Sequence, residues 1–183
     1  MSEEVFGTVL DAARSNAPWA FERLYRAVAP DVDGYLRMRG ATDPDGLTNE
    51  VMLGVFQGLS RFSGGSAGFR SWVFTIAHHR LVDERRRLST RPTTTELLDH
   101  HPEPLAGDVE HEAIAGLTAE HVGQLLETLT DDQRDVVLLR VVADLSVEQV
   151  ADVLGKREGA IKMLQRRGLA ALRQALEPER VTS

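Results

Sequence analysis

The stretch that most constrains the fold of this 183-residue chain begins at Ser146 and reads SVEQVADVLGKREGAIKMLQRRGLAALRQAL. Two helices that cross closely need a small residue at the crossing, and Ala151 supplies it. Gly155 follows where the chain must turn, and glycine takes a positive φ without steric cost. Further on, Ile161 is placed to pin the second helix onto the first, with Val150, Leu154 and Leu164 completing the buried side. This spacing predicts a helix-turn-helix. The opposite face of the second helix then carries Lys156, Arg157, Lys162, Met163, Arg166 and Arg167, long side chains able to reach base edges and phosphates in a major groove. An ordinary helical hairpin with a solvated basic face would not require small residue, turn glycine and apolar pin at these offsets.

The rest of the chain reads as helical too. Thr130 with Gln133, and Ser146 with Gln149, have the capping-box spacing, so a helix starts after each hydroxyl residue. The β-branched run from Val136 to Val142 could pass for a strand, but the cap before it and the lack of a partner strand favour helix. In the N-terminal half Pro18, Pro30 and Pro44 sit where proline suits a first helical turn, and Gly40 where glycine suits a stop. Phe21, Leu24, Tyr25 and Val28 form one apolar stripe, and Leu47, Val51, Val55 and Leu59 another. SGGSAG, from Ser63 to Gly68, reads as a loop before a helix from Trp72 to Arg87 that ends in a basic cluster. Ser89 to Gly107, with its prolines and threonines and no sustained apolar period, reads as a flexible linker. The expected architecture is all-α: a helical domain over 1–88, a linker over 89–111 and a helix-turn-helix domain over 112–183.

A net charge of -7 sits awkwardly with DNA binding until it is divided along the chain. Residues 63–91 hold six cations against two anions, 92–135 one against eleven, and 136–183 eight against six. Two basic islands therefore flank an acidic stretch, and phosphate contact depends on local charge. The absence of cysteine excludes disulfides, thiolate metal sites and cysteine nucleophiles, and suits a reducing cytoplasm. Glu3 and Glu4 stand where a secretory signal would want positive charge, and no apolar run is long enough to insert into a membrane. Catalysis finds no support. His111-Glu112 has Ala115 where a zinc-protease motif needs its second histidine, His100-His101 lies in the linker, and neither a nucleophile elbow nor a phosphate-binding glycine loop occurs. No metal or cofactor is expected. A plain repressor or activator, or a helical adaptor that binds only proteins, shares parts of this pattern.

With both halves in view, the sequence resembles the extracytoplasmic-function sigma factors, the small alternative sigma factors of bacterial RNA polymerase. FERLYRAVAPDVDGYLRMRG, DPDGLTNEVMLGVFQGLSRF and FRSWVFTIAHHRLVDERRR are similar to the family's polymerase-binding and -10-reading segments, in the family's order. LTDDQRDVVLLRVVADLSVEQVADVLGKREGAIKMLQRRGLAALR is similar to its -35-reading domain. The resemblance implies that Asp45, Asn49, Glu50 and Gln57 dock on core RNA polymerase, although Gly46 and Asn49 stand where the family commonly has acidic and glutamine residues. It implies a pocket for a base flipped from the non-template strand around Ser63, Gly64, Gly65, Ser66, Phe69 and Trp72. His79 stands where the family often has a base-touching asparagine, and Arg80, Arg85, Arg86 and Arg87 suit the phosphates of melted DNA. Arg157, Lys162, Met163, Arg166 and Arg167 would read the -35 element. The family also implies promoter DNA and an anti-sigma protein as partners, the latter separate because the short tail after Pro178 leaves no room for a fused regulator.

Overall fold

A computed structural model of the chain describes residues 2–90 and 119–176, with side chains placed for 2–89 and 121–176. The expected linker, with His100, His101 and His111, lies outside the described residues apart from Ser89 and Thr90, which belong to the last turn of a helix. Among the described residues there are eight helices and no strand: α1 (Glu3–Arg14), α2 (Pro18–Met38), α3 (Pro44–Gly58), α4 (Ser66–Thr90), α5 (Ala119–Glu127), α6 (Asp131–Val141), α7 (Val147–Leu154) and α8 (Glu158–Leu176).

The helix boundaries follow from local chemistry at most ends. Pro18 and Pro44 open α2 and α3 with their φ already suited to a helix, and the Asp43 carboxylate accepts from the Gly46 N–H at 2.9 Å. At the end of α2, the Gly40 N–H returns to the Arg37 carbonyl and the Ala41 N–H to that of Leu36, satisfying carbonyls that the helix leaves open. Both capping boxes form: Thr130 and Gln133 exchange hydrogen bonds at the start of α6, and Ser146 and Gln149 do so at the start of α7. The β-branched run is helical, as its cap dictates.

Three expectations fail. Pro30 does not begin a helix but lies inside α2, which runs through it unbroken. Pro30 and Arg26 both face solvent, so the carbonyl deprived of its donor can turn to water. The continuous buried stripe of Leu24, Val28, Val32, Tyr35 and Leu36 outweighs the lost hydrogen bond. Tyr25 leaves its stripe and is exposed, its hydroxyl donating to Asn49 Oδ1 at 3.3 Å. Finally, α4 begins at Ser66, so half of the glycine-rich stretch is helical. Its start is capped from a distance: the Glu3 carboxylate of α1 accepts from the Ser66 N–H at 2.9 Å and from its hydroxyl. Those bonds hold the Glu3 carboxyl below the usual carboxylate range.

In the N-terminal half α1, α2, α3 and α4 pack together around Phe6, Leu24, Tyr35, Val51, Phe74 and Leu81. In the C-terminal half α6, α7 and α8 surround Val136, Leu139, Leu145, Val150 and Ile161, with α5 against α8. The halves also meet. α4 packs on α7 and α2 on α6, so one continuous buried cluster runs through both.

Candidate nucleic-acid interface

The helix-turn-helix is built as its sequence requires. α7 ends at Gly155 with φ 61°, a left-handed conformation that costs L-residues with a Cβ about 1 to 2 kcal/mol. The Lys156 N–H then returns to the Ala151 carbonyl at 2.9 Å and closes the turn. Ala151 and Val150 are buried at the crossing, and Ile161 is fully buried, which contributes about 1.5 to 3 kcal/mol. Leu154 and Leu164 are only half-buried, and Val153, absent from the expected set, completes the buried side. On the outer face Arg157, Lys162, Met163, Arg166 and Arg167 are all exposed, Met163 at 41%. Lys156 departs from this set, because its ammonium is tied to Asp132 of α6 at 3.0 Å. Lys162 has Glu158 at 3.4 Å one turn back, an exposed pair that a stronger anion can displace.

The second basic helix, α4, presents a different surface. Ser63, Gly64 and Gly65 are exposed in the loop before it, with Ser66 half-buried at its first turn. Gly64 has φ 147°, and a side chain there would also crowd the Phe62 ring. Phe69 is only 2% exposed and meets Phe6, Phe62 and Trp72 with ring centroids 5.4 to 6.0 Å from its own, so no open face is left for a base. Trp72 is half-buried, stacked on Phe62 at 5.1 Å with its indole over Gly58. The aromatics thus form the floor beneath the loop rather than free platforms. His79 is exposed and Arg80 half-buried against α3 near Gly54. Arg86 is exposed, whereas Arg85 turns inward and donates to the Arg39 carbonyl.

On α3, Asp45, Asn49 and Gln57 lie at four-residue multiples along one exposed stripe, with Glu50 beside it. Asp45 is held by Arg37 at 2.6 Å, which also grips Asp33 at 2.7 Å and has its own pKa raised by those two carboxylates. The missing member of the stripe is Leu53, 57% exposed, an apolar residue in the middle of a polar face. The signal was available in the sequence: Leu53 stands opposite the Leu47, Val51, Val55 stripe, where a solvated helix would carry a polar residue.

Sequence reading also missed a cluster between the halves. Arg39, 3% exposed, donates to Asp131 Oδ1 and to Asp135 Oδ2, each at 3.1 Å, while its Nε lies 2.6 Å from Asp135 Oδ1 but off the hydrogen-bond axis. The Tyr35 hydroxyl donates to Asp135 Oδ1 at 3.1 Å, which leaves its oxygen to accept from His78 Nδ1 at 3.0 Å. Burial, reinforced by Asp135, raises the Tyr35 pKa, and burial lowers that of His78. The hydrogen bond from Arg39 holds Asp131 below the usual carboxylate range. Nearby, Arg70 of α4 pairs with Asp31 at 2.6 Å and donates to the carbonyls of Val142 and Ala143. Gln149 of α7 donates to the Ala67 carbonyl of α4 at 3.0 Å.

The family model for Sigma-70 region 2 matches residues 24–91, and that for Sigma-70, region 4 matches 125–174. The first match spans α3, the loop and α4, and the second spans the helix-turn-helix. The chain is 30% identical over 172 residues to the ECF RNA polymerase sigma factor BldN of Streptomyces coelicolor, covering 92% of this chain and 64% of that protein. It thus spans just under two thirds of the length of that relative. It is 33% identical over 184 residues to the ECF RNA polymerase sigma factor SigC of Mycobacterium tuberculosis, covering 98% of this chain and 95% of the other. The sigma factor RpoE of Bartonella quintana, solved in complex with the anti-sigma factor NepR, superposes with a TM-score of 0.66 at 19% identity. That match covers 89% of this chain and 98% of the other, and at such identity the likeness is one of fold.

Proposed function

The chain belongs to the extracytoplasmic-function sigma factors, a family of transcription-initiation factors that are not enzymes, and from that membership we propose that it binds core RNA polymerase, directs it to specific promoters and helps to open the -10 region. The observation that carries this reading is the exposed cationic face of α8, held outward by a buried Ile161 and a closed turn at Gly155. Arg157, Lys162, Met163, Arg166 and Arg167 would lie in the major groove of the -35 element. The loop at Ser63–Ser66 would receive a flipped base, with Phe69 and Trp72 supporting it from below, while His79, Arg80, Arg85 and Arg86 would face the melted strands. Asp45, Asn49, Glu50 and Gln57, joined by Leu53, would dock on the polymerase. In domain terms 1–88 would serve polymerase and -10 element, 112–183 the -35 element, and 89–111 would connect them.

A separate anti-sigma protein fits as the restraining partner, since the similar Bartonella sigma factor was solved with one. Acting on RNA polymerase, the protein would work in the cytoplasm; no described helix is long and apolar enough to cross a membrane. The test is promoter binding and run-off transcription with and without core polymerase. Promoter-specific transcripts that need both proteins support the reading. Tight, specific binding of duplex DNA by the chain alone, with no gain from core, would instead make it a simple repressor or activator.

A further inference from the structure

The loop from Phe62 to Ser66 is held at both ends by α1. Arg14, in the last turn of α1, donates from Nη2 to the Phe62 carbonyl. Glu3, in the first turn, accepts from the Ser66 N–H at 2.9 and 3.2 Å and from the Ser66 hydroxyl. Those bonds lower the Glu3 pKa, so it accepts as a carboxylate throughout the neutral range. Between the two, Phe6 lies against Phe69 with ring centroids 5.4 Å apart. Arg14 follows Glu3 by about three whole turns, so the three contacts leave one face of the helix. Gly65 is a further sign of the same fit. Unlike Gly64 it has no positive φ, so its backbone does not require glycine, but a Cβ there would overlap Glu3 Oε1. The carboxylate fills the space of the absent side chain. α1 also lies ahead of residue 24, where the match to the region 2 family model begins, so this clamp comes from outside the matched segment.

We propose that Glu3 and Arg14 are positioning residues for the flipped -10 base: by fixing both ends of the loop they preform its pocket, and so set how sharply one base is preferred over the other three. This rests on the reading of that loop as the receiver of the flipped base. Ser63, Gly64 and Gly65 are exposed and offer almost no side chain to pack, and glycine loses more freedom on ordering than any other residue. Left to itself, such a loop adjusts to whichever base arrives. A pocket selects by shape and by hydrogen bonds of fixed direction, and both are blunted when the wall moves. Bonds to the two ends place the cost of ordering in folding, before any base is flipped. Glu3 suits this role and not contact with DNA, because a carboxylate repels phosphate. Arg14 has Asp11 at 3.3 Å, so it brings little net charge to the surface. Both therefore act through Phe62 and Ser66.

The test is transcription with core polymerase from four promoters that differ only in the flipped base of the -10 element, read as the ratio of the best to the mean of the others. Glu3→Ala and Arg14→Ala should each lower that ratio about fivefold, the size of one lost cap, with affinity for core polymerase unchanged. Glu3→Gln keeps an acceptor for the Ser66 N–H and should stay within about twofold of the parent. In the free protein, hydrogen exchange at the amides of residues 63–66 should quicken about tenfold in Glu3→Ala while the middle of α4 keeps the protection of the parent. Should Glu3→Ala not fold, Arg14→Ala carries the same readouts. A ratio unchanged in the alanine variants overturns the proposal, as does an equal loss of transcript from all four promoters, which a merely structural role would give. A loss in Glu3→Gln as deep as in Glu3→Ala assigns the effect to charge and overturns it too. A parent that prefers no base at any -10 position would sink the pocket reading and this proposal with it, whereas a preference that the variants keep sinks only the role of α1.

Discussion

α4 and α8 are both basic helices assigned to DNA, yet they differ in readiness. α8 turns its cations outward from a unit whose own core holds it, and only Glu158 contests Lys162. α4 runs through the middle of the molecule, with α1, α2 and α3 on its flanks and α7 across it, and Arg70 and Arg85 spend their donors on other parts of the chain. Positive charge in a sequence is therefore not the same as available charge. The surface proposed for the -35 element is preformed, whereas the one proposed for the -10 element is conditional on what the rest of the chain is doing.

Substitutions that strike one helix and spare the other can break or sharpen this contrast. The largest effect is expected from Asp135→Ala, which leaves buried Arg39 facing a missing partner and should cost about 3 to 5 kcal/mol in urea denaturation. A loss below about 1 kcal/mol would show that the halves are not joined as one cooperative unit. Next, Arg166→Ala should cost about 1 to 3 kcal/mol of -35 discrimination in a randomised-promoter assay while stability is unchanged. Unaltered preference would remove Arg166 from the base-reading set and weaken the view of α8 as preformed. Ser146→Ala deletes half of the capping box on α7, which stands between the two basic helices, and should lower stability by about 1 kcal/mol. Thermal melting measures this.

The smallest expected effect is that of pH. Burial holds His78 below the ordinary histidine value, so the unfolded chain takes up a proton that the folded chain resists. More protons on the unfolded side mean that stability is complete above about pH 6.5 and declines as pH falls below it. The groups that face His78 are Tyr35 and Arg39 from α2, Asp135 from α6, and His79 and Arg85 of its own helix. Asp131 works at the other end of the scale: its lowered pKa keeps its contribution intact until the pH approaches about 4. Melting temperatures between pH 7 and pH 5 should therefore fall modestly, and His78→Gln should flatten the dependence. An identical slope in that variant would assign the effect to another group.

What could be read from the sequence divides along the same line. In the C-terminal half the governing interactions are local. Each capping box spans four residues, the turn needs one glycine, and Ile161 packs on a helix that ended a few residues before it, so the pattern and the fold coincide. In the N-terminal half, stripes such as Leu47, Val51 and Val55 placed the core correctly, but the exceptions came from partners far along the chain. α4 starts at Ser66 because Glu3 caps it from 63 residues away, Pro30 is tolerated because the buried stripe of α2 packs on other helices while Pro30 itself faces solvent, and Phe69 is floor rather than platform because Phe6 covers it.

By itself, then, the sequence determined the helical class, the helix-turn-helix, the identity of the outward face of α8 and the family, since each of these depends on residue types at short, fixed offsets. Only the tertiary structure decided which cations are free to act. Arg39 carries no local sign of its role: it follows a helix and precedes a glycine, as many solvated arginines do. Its pairing with Asp131 and Asp135 arises because packing α2 on α6 brings together charges more than 90 residues apart, and exclusion of water then strengthens their attraction. Coulomb energy depends on distance in space and on burial, and neither quantity is written in the order of the residues.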